Sequence, residues 1–440
     1  MPSYKKSLIF CSLLFILNGC GTKEINLKNN DSQKSTFKKV EIKEFDLEDQ
    51  YIMFAIESEN QRFYYDAKEL YLRLFEKTNN YEYLVKYLTL ATQLKEYEAV
   101  KIKASKYMIE NIREEEVILR LYAFSLLKLG EKEEAIINAE KLINLYKNAI
   151  NYELLGSIYL EDKQYSKSYN AFDSAFNLNG SSTTLLTLTN VQFFSLLQKN
   201  EAIKRIEDNI QAKEFDFNLS VQLLAFYDVE KQKEKIIDHL KRMYYYYKMS
   251  DNQLLVNKTK ALFVKYVVND NLAFTIDFWE QNGEEDEILL NMYKIANQNQ
   301  KAYDLLKKLY ESTNNLDYLA QQAIIEFETA PDKKSVLSSV ISKFEKVLAV
   351  LDNDIYQNYL AYILIDYDVD IKKGVSLVKK ALEKDSSNIA YIDTLAWGEY
   401  KLKNCKEAFI NMKKVVDEVG LDDAEIKLHW EKIKECKKWF

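Results

Sequence analysis

Small residues recur every 33 to 35 positions along the first half of this chain, and a second series follows twelve residues behind the first. A period of this length at fixed phase predicts a helical solenoid. Each unit would be two short helices, which must stack on neighbours to bury their apolar faces. The three series are Ala55, Leu88, Ala123, Gly156, Asn190, Ala225; Ala67, Val100, Ala135, Ser168, Ala202, Ile237; and, four residues further on, Tyr71, Ala104, Ala139, Phe172, Ile206, Lys241.

Composition agrees with a fold made only of helices. The 440 residues include 9 Gly and 2 Pro, which is little turn chemistry for strands. The abundant Leu, Lys, Glu and Ile favour helices. We therefore predict an all-α protein whose role is binding rather than catalysis.

The fourth unit resembles the tetratricopeptide repeat. Leu155, Gly156 and Tyr159 match the L-G-x-x-Y positions of that family, and Phe172 follows Ser168 at the A-x-x-x-F positions. Near the end of the chain, residues 390–397 resemble the A-x-x-D-[ST]-L-G-W stretch of bacterial repeat proteins, with Ala396 in place of Gly. The resemblance implies a right-handed α-solenoid of stacked helical hairpins with up to eleven units.

The repeats vary in clarity along the chain. We expect a signal peptide at 1–19, a flexible tether at 20–45, an N-terminal repeat array at 46–250, degenerate helical repeats at 251–350, and a C-terminal repeat pair with a capping helix at 351–438. Pro331 should lie in a turn, because proline lacks the amide donor. Gly420 should end the last repeat helix, and Asp422 and Asp423 can cap the final one.

The start of the chain has the pattern of a secretory signal. Lys5 and Lys6 precede a short apolar run, which ends in Leu17-Asn18-Gly19-Cys20. This ending resembles a bacterial lipobox, which implies cleavage before Cys20 and acylation of that residue. Gly21 stands where Asp would favour the inner membrane, so we expect an outer-membrane lipoprotein facing the periplasm, attached to the membrane through its lipid only. The alternative is an uncleaved anchor helix.

Charge and composition restrict the partners. Residues 22–43 are rich in Lys, Asn, Ser and Asp, so they should not pack and can serve as a tether. Loss of Lys5 and Lys6 with the signal would take the net charge from -7 to -9. An acidic surface makes nucleic acid an unsuitable ligand, since phosphate binding needs clustered Lys and Arg.

Two cysteines would remain after processing and lipidation, Cys405 and Cys436. The first falls near the start of the last repeat's second helix and the second near the end of the capping helix. These helices should be antiparallel neighbours, and the periplasm permits disulfides. We expect a disulfide between them; the alternative is two separate thiols.

The sequence contains no catalytic or metal-binding pattern. His239 and His429 are the only histidines and are far apart, and H-E-x-x-H, zinc-spaced Cys/His clusters and phosphate loops do not occur. We predict no catalytic residue, no metal site and no cofactor.

The resemblance also implies a binding groove. In the family the first helix of each pair lines a concave surface, and residues that flank its small position point inward. The alternative for each ring is packing within the superhelix. Carried over, the candidate groove residues are Arg120, Phe124, Lys128, Glu153, Ser157, Glu161, Phe194, Phe226, Tyr362, Trp397 and Tyr400.

We therefore expect a lipid-anchored periplasmic scaffold that binds other envelope proteins or peptides. The alternative is a periplasmic chaperone or polysaccharide-export component that grips an extended polymer in the groove.

Overall fold

The computed structural model describes residues 47–111, 115–213 and 215–436. Within these ranges the regular structure is 23 α-helices and two five-residue π-helical turns, with no strand. The predicted all-α class is confirmed. The expected signal peptide, Cys20 and the tether at 20–45 lie outside the described residues.

Consecutive helices form eleven hairpins, numbered 1 to 11 in chain order, and one further helix follows the last hairpin. We call the two helices of a hairpin its first and second helix. The chain divides into two compact units between Thr259 and Lys260, inside a helix of the seventh hairpin.

The unit up to Thr259 contains the first six hairpins and most of the next helix. Its helices are α1 Glu48–Asn60, α2 Tyr64–Thr78, α3 Tyr81–Gln93, α4 Tyr97–Asn111, α5 Glu116–Leu129, α6 Lys132–Leu145, α7 Ala149–Glu161, α8 Tyr165–Asn179, α9 Ser182–Asn190 with the π turn Val191–Ser195, α10 Lys199–Ala212, α11 Phe217–Val229, α12 Lys233–Met249 and α13 Gln253–Phe263.

The unit from Lys260 onward begins at the end of α13, which continues into a π turn, Val264–Val268. Its remaining helices are α14 Leu272–Gln281, α15 Glu287–Ile295, α16 Asn299–Thr313, α17 Leu316–Thr329, α18 Lys333–Leu348, α19 Asp354–Asp366, α20 Ile371–Lys384, α21 Ile389–Lys401, α22 Cys405–Val419 and the closing helix α23 Ala424–Cys436.

Small residues let the two helices of a hairpin approach closely. Ala55 and Ala67 of hairpin 1 are completely buried. In hairpin 4, a Cβ at Gly156 would lie 2.9 Å from the Phe172 ring, so no larger residue fits there without movement. Ser168 is buried opposite Gly156, and its Oγ donates a 2.7 Å hydrogen bond to the Gly156 carbonyl. The hydroxyl is therefore satisfied at a position where the repeat pattern has alanine.

The predicted phase is wrong by one residue in hairpin 6. Leu224 and Leu240 are completely buried there, whereas the predicted Ala225 and Lys241 are half-buried. In hairpin 5 the buried position is likewise Thr189 rather than the predicted Asn190, which is half-buried. The π turn that extends α9 places one additional residue between the buried positions of that hairpin, and the sequence spacing does not reveal it.

The turns inside the hairpins adopt a left-handed conformation with few glycines. One residue with φ between 58° and 84° occurs in each of the first six hairpin turns. Most are Lys or Arg, which explains how so many turns form with only 9 Gly in the chain. These residues are Arg62, Lys95, Gly130, Lys163, Leu197 and Lys231.

The expected helix stops are present. Pro331 lies in the bend between α17 and α18, and the Asp332 carboxylate accepts the Lys334 amide at 3.0 Å. Gly420 ends α22 with a φ of 76°. Asp423 caps α23 by accepting the Glu425 amide at 2.9 Å.

Across the ranges that the structure describes, the helices are too short or too polar to cross a membrane.

Hairpin 10 offers a test of the close approach. A Cβ at Gly374 of α20 would lie 2.6 Å from Ile365 Cγ1 and 2.9 Å from the Ala361 carbonyl oxygen. We expect Gly374→Ala to lower the free energy of unfolding by roughly 1–3 kcal/mol, because a backbone atom cannot move aside cheaply. The measurement is thermal denaturation followed by circular dichroism. Ser376→Ala, at an exposed position of the same helix, should change little; equal effects of the two substitutions would contradict the packing described.

Candidate functional site

Arg120, a predicted groove residue, connects hairpins 3 and 4. Its Nη1 donates to Glu116 Oε1 at 3.2 Å and to Asn151 Oδ1 at 3.0 Å. The same Glu116 oxygen accepts from Asn148 Nδ2 at 2.7 Å. These hydrogen bonds join α5 to α7, so Arg120 stabilises the stacking of two first helices.

Phe124 and Lys128 lie one turn apart on α5 and differ in exposure. Phe124 is buried, and its ring meets Tyr97 of the preceding hairpin edge-on at 6.1 Å. The prediction that Phe124 lines an open groove is therefore incorrect, because the neighbouring hairpin covers it. The Lys128 ammonium is exposed and lies 5.2 Å from the Phe124 ring centroid. Desolvation lowers the pKa of Lys128, and Glu161 opposes that change.

The predicted groove residues of α7 also have partners. Glu153 accepts hydrogen bonds from the Thr184 hydroxyl and, at 3.2 Å, from Asn179 Nδ2. Ser157 Oγ donates to the Glu153 carbonyl at 2.8 Å. Lys132 Nζ donates to the Glu161 carbonyl at 2.7 Å, which leaves the Glu161 carboxylate 4.0 Å away and exposed.

Glu116 and Glu153 belong to a recurring arrangement that we call the carboxylate ladder. In it an acid near the start of one first helix accepts a hydrogen bond from a residue near the start of the next. Burial and the hydrogen bond to Asp354 raise the pKa of the Tyr391 hydroxyl to about 12. The hydrogen bond to Glu287 raises the pKa of the Tyr318 hydroxyl to about 12 as well. Both hydroxyls are therefore protonated donors at neutral pH. The further pairs are Glu48–Tyr83, Glu287–Tyr318, Asp317–Tyr356 and Asp354–Tyr391.

Three phenylalanines form a cluster at the π turn that follows α9. Phe226 is completely buried and stacks on Phe193 with ring centroids 4.0 Å apart, so it is not a groove anchor as predicted. Phe194 meets the edge of Phe193 at 4.8 Å and remains 45% exposed. Beside it Leu197 is 72% exposed in its left-handed turn. Gln192 Oε1, in the same π turn, is buried and has no hydrogen-bond partner among the described residues.

At the C-terminal end the closing helix covers Trp397. The indole Nε1 donates to Asp366 at 3.1 Å, and the ring stacks between Tyr400 at 5.0 Å and His429 of α23 at 4.2 Å. Trp397 is 9% exposed, so the expected open groove residue is a buried one.

The other predicted aromatic residues near α23 are half-buried. Tyr362 of α19 is hydrogen-bonded to Glu425 of α23. Burial is the larger cause that raises the pKa of the Tyr362 hydroxyl, and the negative charge of Glu425 raises it further. His429 Nδ1 lies 3.0 Å from Asp393 Oδ1. Through these contacts α23 joins the two preceding first helices.

Cys405 and Cys436 are brought together as a disulfide, with their Cα atoms 5.6 Å apart. The bond joins the start of α22 to the end of α23 and so holds the closing helix on hairpin 11.

Comparison with known proteins gives structural matches only. No family model and no curated protein matches the sequence. The chain is similar to a tetratricopeptide repeat protein from Parabacteroides merdae, with 13% identity, 51% of this chain and 95% of that chain covered, and a TM-score of 0.37. It is also similar to pilF of Pseudomonas aeruginosa, with 14% identity, 49% of this chain and 97% of that chain covered, and a TM-score of 0.36. A third match is the APC/C hetero-tetramer Cut9-Hcn1, with 11% identity, 88% of this chain and 96% of that chain covered, and a TM-score of 0.30. Likeness at these levels carries over no partner and no activity.

The repeat class follows from the hairpins themselves, which recur every 33 to 35 residues through the first six and in several cases enclose a buried small pair such as Ala55 with Ala67 or Ala123 with Ala135. The chain has a tetratricopeptide-repeat fold. Most of the predicted groove residues bond to or pack against other residues of the repeats, whereas Phe194, Lys128 and Glu161 are exposed. Sequence reasoning missed the carboxylate ladder, whose only trace is an acid early in one first helix and a Tyr, Asn or Thr 31 to 39 residues later.

Among the described residues, no group of three or more His, Cys, Asp or Glu side chains is placed to hold a metal ion. His239 is buried on α12 near the rings of Phe215 and Tyr227. Burial lowers its pKa to about 4; Arg242 adds to this change and Glu207 opposes it.

We predict that the disulfide stabilises the end of the repeat array. Its 31-residue separation corresponds to about 3–4 kcal/mol in the chain-entropy model. Reductant should lower the thermal midpoint of the C-terminal unit and shift tryptophan emission to longer wavelength as α23 leaves Trp397. The Cys405→Ala/Cys436→Ala variant should have the lower thermal midpoint already without reductant, and reductant should not change it. A wild-type thermal midpoint that reductant also leaves unchanged would disprove the role of the bond.

A second prediction concerns pH. His239 has a folded pKa of about 4, below the unfolded value near 6.5, so between these values the unfolded chain binds the extra proton. The free energy of unfolding should therefore keep its full contribution from neutral His239 above pH 6.5. It should fall as the pH drops toward 4, and at pH 5 the loss should be about 2 kcal/mol. His239→Gln should lose less stability between pH 7 and pH 5 in denaturant titrations; an unchanged pH slope in this variant would refute the assignment.

Proposed function

We propose that this protein is a lipid-anchored periplasmic scaffold that binds other envelope proteins at the outer membrane. Two sequence features support the location, the lipobox ending in Cys20 and the Gly21 that follows it. An acylated chain would confine the repeat array near the membrane and raise the effective concentration of its partners.

The observation that carries the binding role is the exposed apolar surface at the π turn. Phe194 packs against a base made by the stacked rings of Phe193 and Phe226, and the exposed Leu197 follows three residues later in the chain. Interfaces draw most of their affinity from a few aromatic or large apolar anchors, and a fixed base reduces the entropy lost on binding. π turns within helices are also frequent at functional sites.

The carboxylate ladder favours a scaffold over a polymer-binding groove. An extended polypeptide or glycan needs many free hydrogen-bond groups along its path. Arg120, Glu153 and Ser157, which would supply them, already bond to neighbouring repeats or to their own helix. Folded partners that dock on an apolar patch have no such requirement.

The test compares three variants in cells that produce the protein, with chemical crosslinking of envelopes, pull-down and mass spectrometry. We expect the wild type in the outer-membrane fraction with one defined set of envelope proteins. Cys20→Ser should move the protein to the soluble periplasm. Phe194→Ser/Leu197→Ser should stay anchored but lose tenfold or more of the captured partners, as loss of an interface anchor does.

Met249→Ser is the control for surface polarity, since Met249 is 89% exposed on the helix that ends hairpin 6. It should capture partners like the wild type. Capture of many unrelated unfolded proteins would instead indicate a chaperone, and capture of none would leave a glycan ligand.

A further inference from the structure

Hairpin 5 contains one residue more than its neighbours between the two buried positions that pair its helices. Thr189 and Ala202 are thirteen residues apart, whereas the corresponding pair of hairpin 4 is twelve residues apart. The π turn Val191–Ser195 holds the additional residue, and Phe194 lies inside this turn. The place of the additional residue along the chain therefore decides in which direction Phe194 is displayed.

The last turn of α9, just before the π turn, is bonded to Gln222 of α11. Gln222 Nε2 donates to the Leu186 carbonyl at 3.1 Å and to Thr189 Oγ1 at 3.2 Å. Gln222 Oε1 accepts from Asn190 Nδ2 at 3.2 Å. One side chain of hairpin 6 thus makes three hydrogen bonds to the turn that precedes the π turn, and these bonds fix the point at which the π turn begins.

The same side of α11 also contacts the π turn and the residues that follow it. Phe226, four residues after Gln222, stacks on Phe193 with ring centroids 4.0 Å apart. Four residues further, at the end of α11, Glu230 forms a 2.7 Å ion pair with Lys199, the first residue of α10. Residues four apart lie on the same side of a helix. Hairpin 6 therefore holds hairpin 5 before, within and after the additional residue.

The equivalent of Gln222 in hairpins 3 and 4 is a buried leucine. Leu121 and Leu154 also lie two residues before the buried position of their first helices, and they are at most 5% exposed. The first helices that precede them, α3 and α5, are uninterrupted α-helices. A half-buried amide in this place costs free energy unless it is hydrogen-bonded, and Gln222 meets that condition through the last turn of α9. The amide is therefore matched to the π turn beside it.

We propose that Gln222 is a positioning residue for partner binding, because its hydrogen bonds to α9 keep the additional residue in the π turn and so hold Phe194 in the direction that a partner recognises. This inference rests on the scaffold role proposed above and adds a residue that acts through Phe194. If the bonds are removed, the additional residue is free to shift along α9. Each residue of shift turns a helical side chain by about 100° around the helix axis. A binding side chain keeps its affinity only when the residues around it fix its position.

The first experiment places 4-fluorophenylalanine at position 194 of the full chain and records its fluorine NMR spectrum, which reports where this ring lies relative to Phe193 and Phe226. We expect one resonance in the otherwise wild-type protein. Gln222→Leu has the leucine of hairpins 3 and 4, and Gln222→Glu keeps the size of the side chain but has no hydrogen to donate to the Leu186 carbonyl. Both substitutions should shift or split the resonance.

Thr184→Val is the matched control. Thr184 also lies on α9, and its hydroxyl is hydrogen-bonded to Glu153 of hairpin 4, so its loss weakens a contact between hairpins at the far end of the helix from the π turn. The fluorine resonance should stay in place in this variant even where the thermal midpoint falls as much as in Gln222→Leu. Circular dichroism at the temperature of the spectra shows that each variant is folded. A resonance that stays in place in both Gln222 variants, or that moves equally in Thr184→Val, would overturn the proposal.

The second experiment repeats the envelope crosslinking and pull-down with Gln222→Leu. We expect this variant to stay anchored and to lose about tenfold of the captured partners, as Phe194→Ser/Leu197→Ser does, while Thr184→Val captures them like the wild type. If Gln222→Leu captures partners like the wild type and Phe194→Ser/Leu197→Ser does not, the scaffold role stands and the positioning role is overturned. If the wild type captures no protein, the scaffold role fails, and the fluorine spectra still decide whether Gln222 holds Phe194.

Discussion

The close approach of two helices within each hairpin is the constraint on which the rest of this structure depends. Several hairpins achieve it with a small residue on each helix at the contact, as at Ala55 with Ala67 and at Gly156 with Ser168. Because packing in protein interiors is dense, one additional methyl group at such a contact must displace its neighbours. The contact fixes the spacing of the repeat, and the spacing fixes which faces are left for the next hairpin.

Neighbouring hairpins are joined by a second interaction, the hydrogen bonds of the carboxylate ladder. The carboxylate ladder links successive first helices through pairs such as Glu153 with Thr184 and Asp354 with Tyr391. It satisfies polar groups near the starts of the first helices, which leaves those groups less available to a polar ligand. The exposed apolar surface at the π turn around Phe194 is the recognition site that we propose. An acylated N-terminus would keep it near a membrane.

Much of the fold could be predicted from sequence, because the small residues that permit helix contact also set a countable period. The prediction slips at Asn190, since the π turn of hairpin 5 adds a residue between the buried Thr189 and Ala202 without leaving a sequence mark. Exposure of single groove residues could not be predicted as well. Helix phase says which way Phe226 or Trp397 points, but not that Phe193 or His429 lies on top of it. The carboxylate ladder could not be predicted from the sequence, because its partners are 31 to 39 residues apart and belong to common residue types.

The most direct test is native mass spectrometry of the protein extracted in mild detergent from the membranes of cells that make it. We predict a chain that begins at Cys20, carries the mass of its acyl groups, and is bound in fixed stoichiometry to a different protein. An unmodified chain that is found alone would contradict both the anchor and the scaffold role.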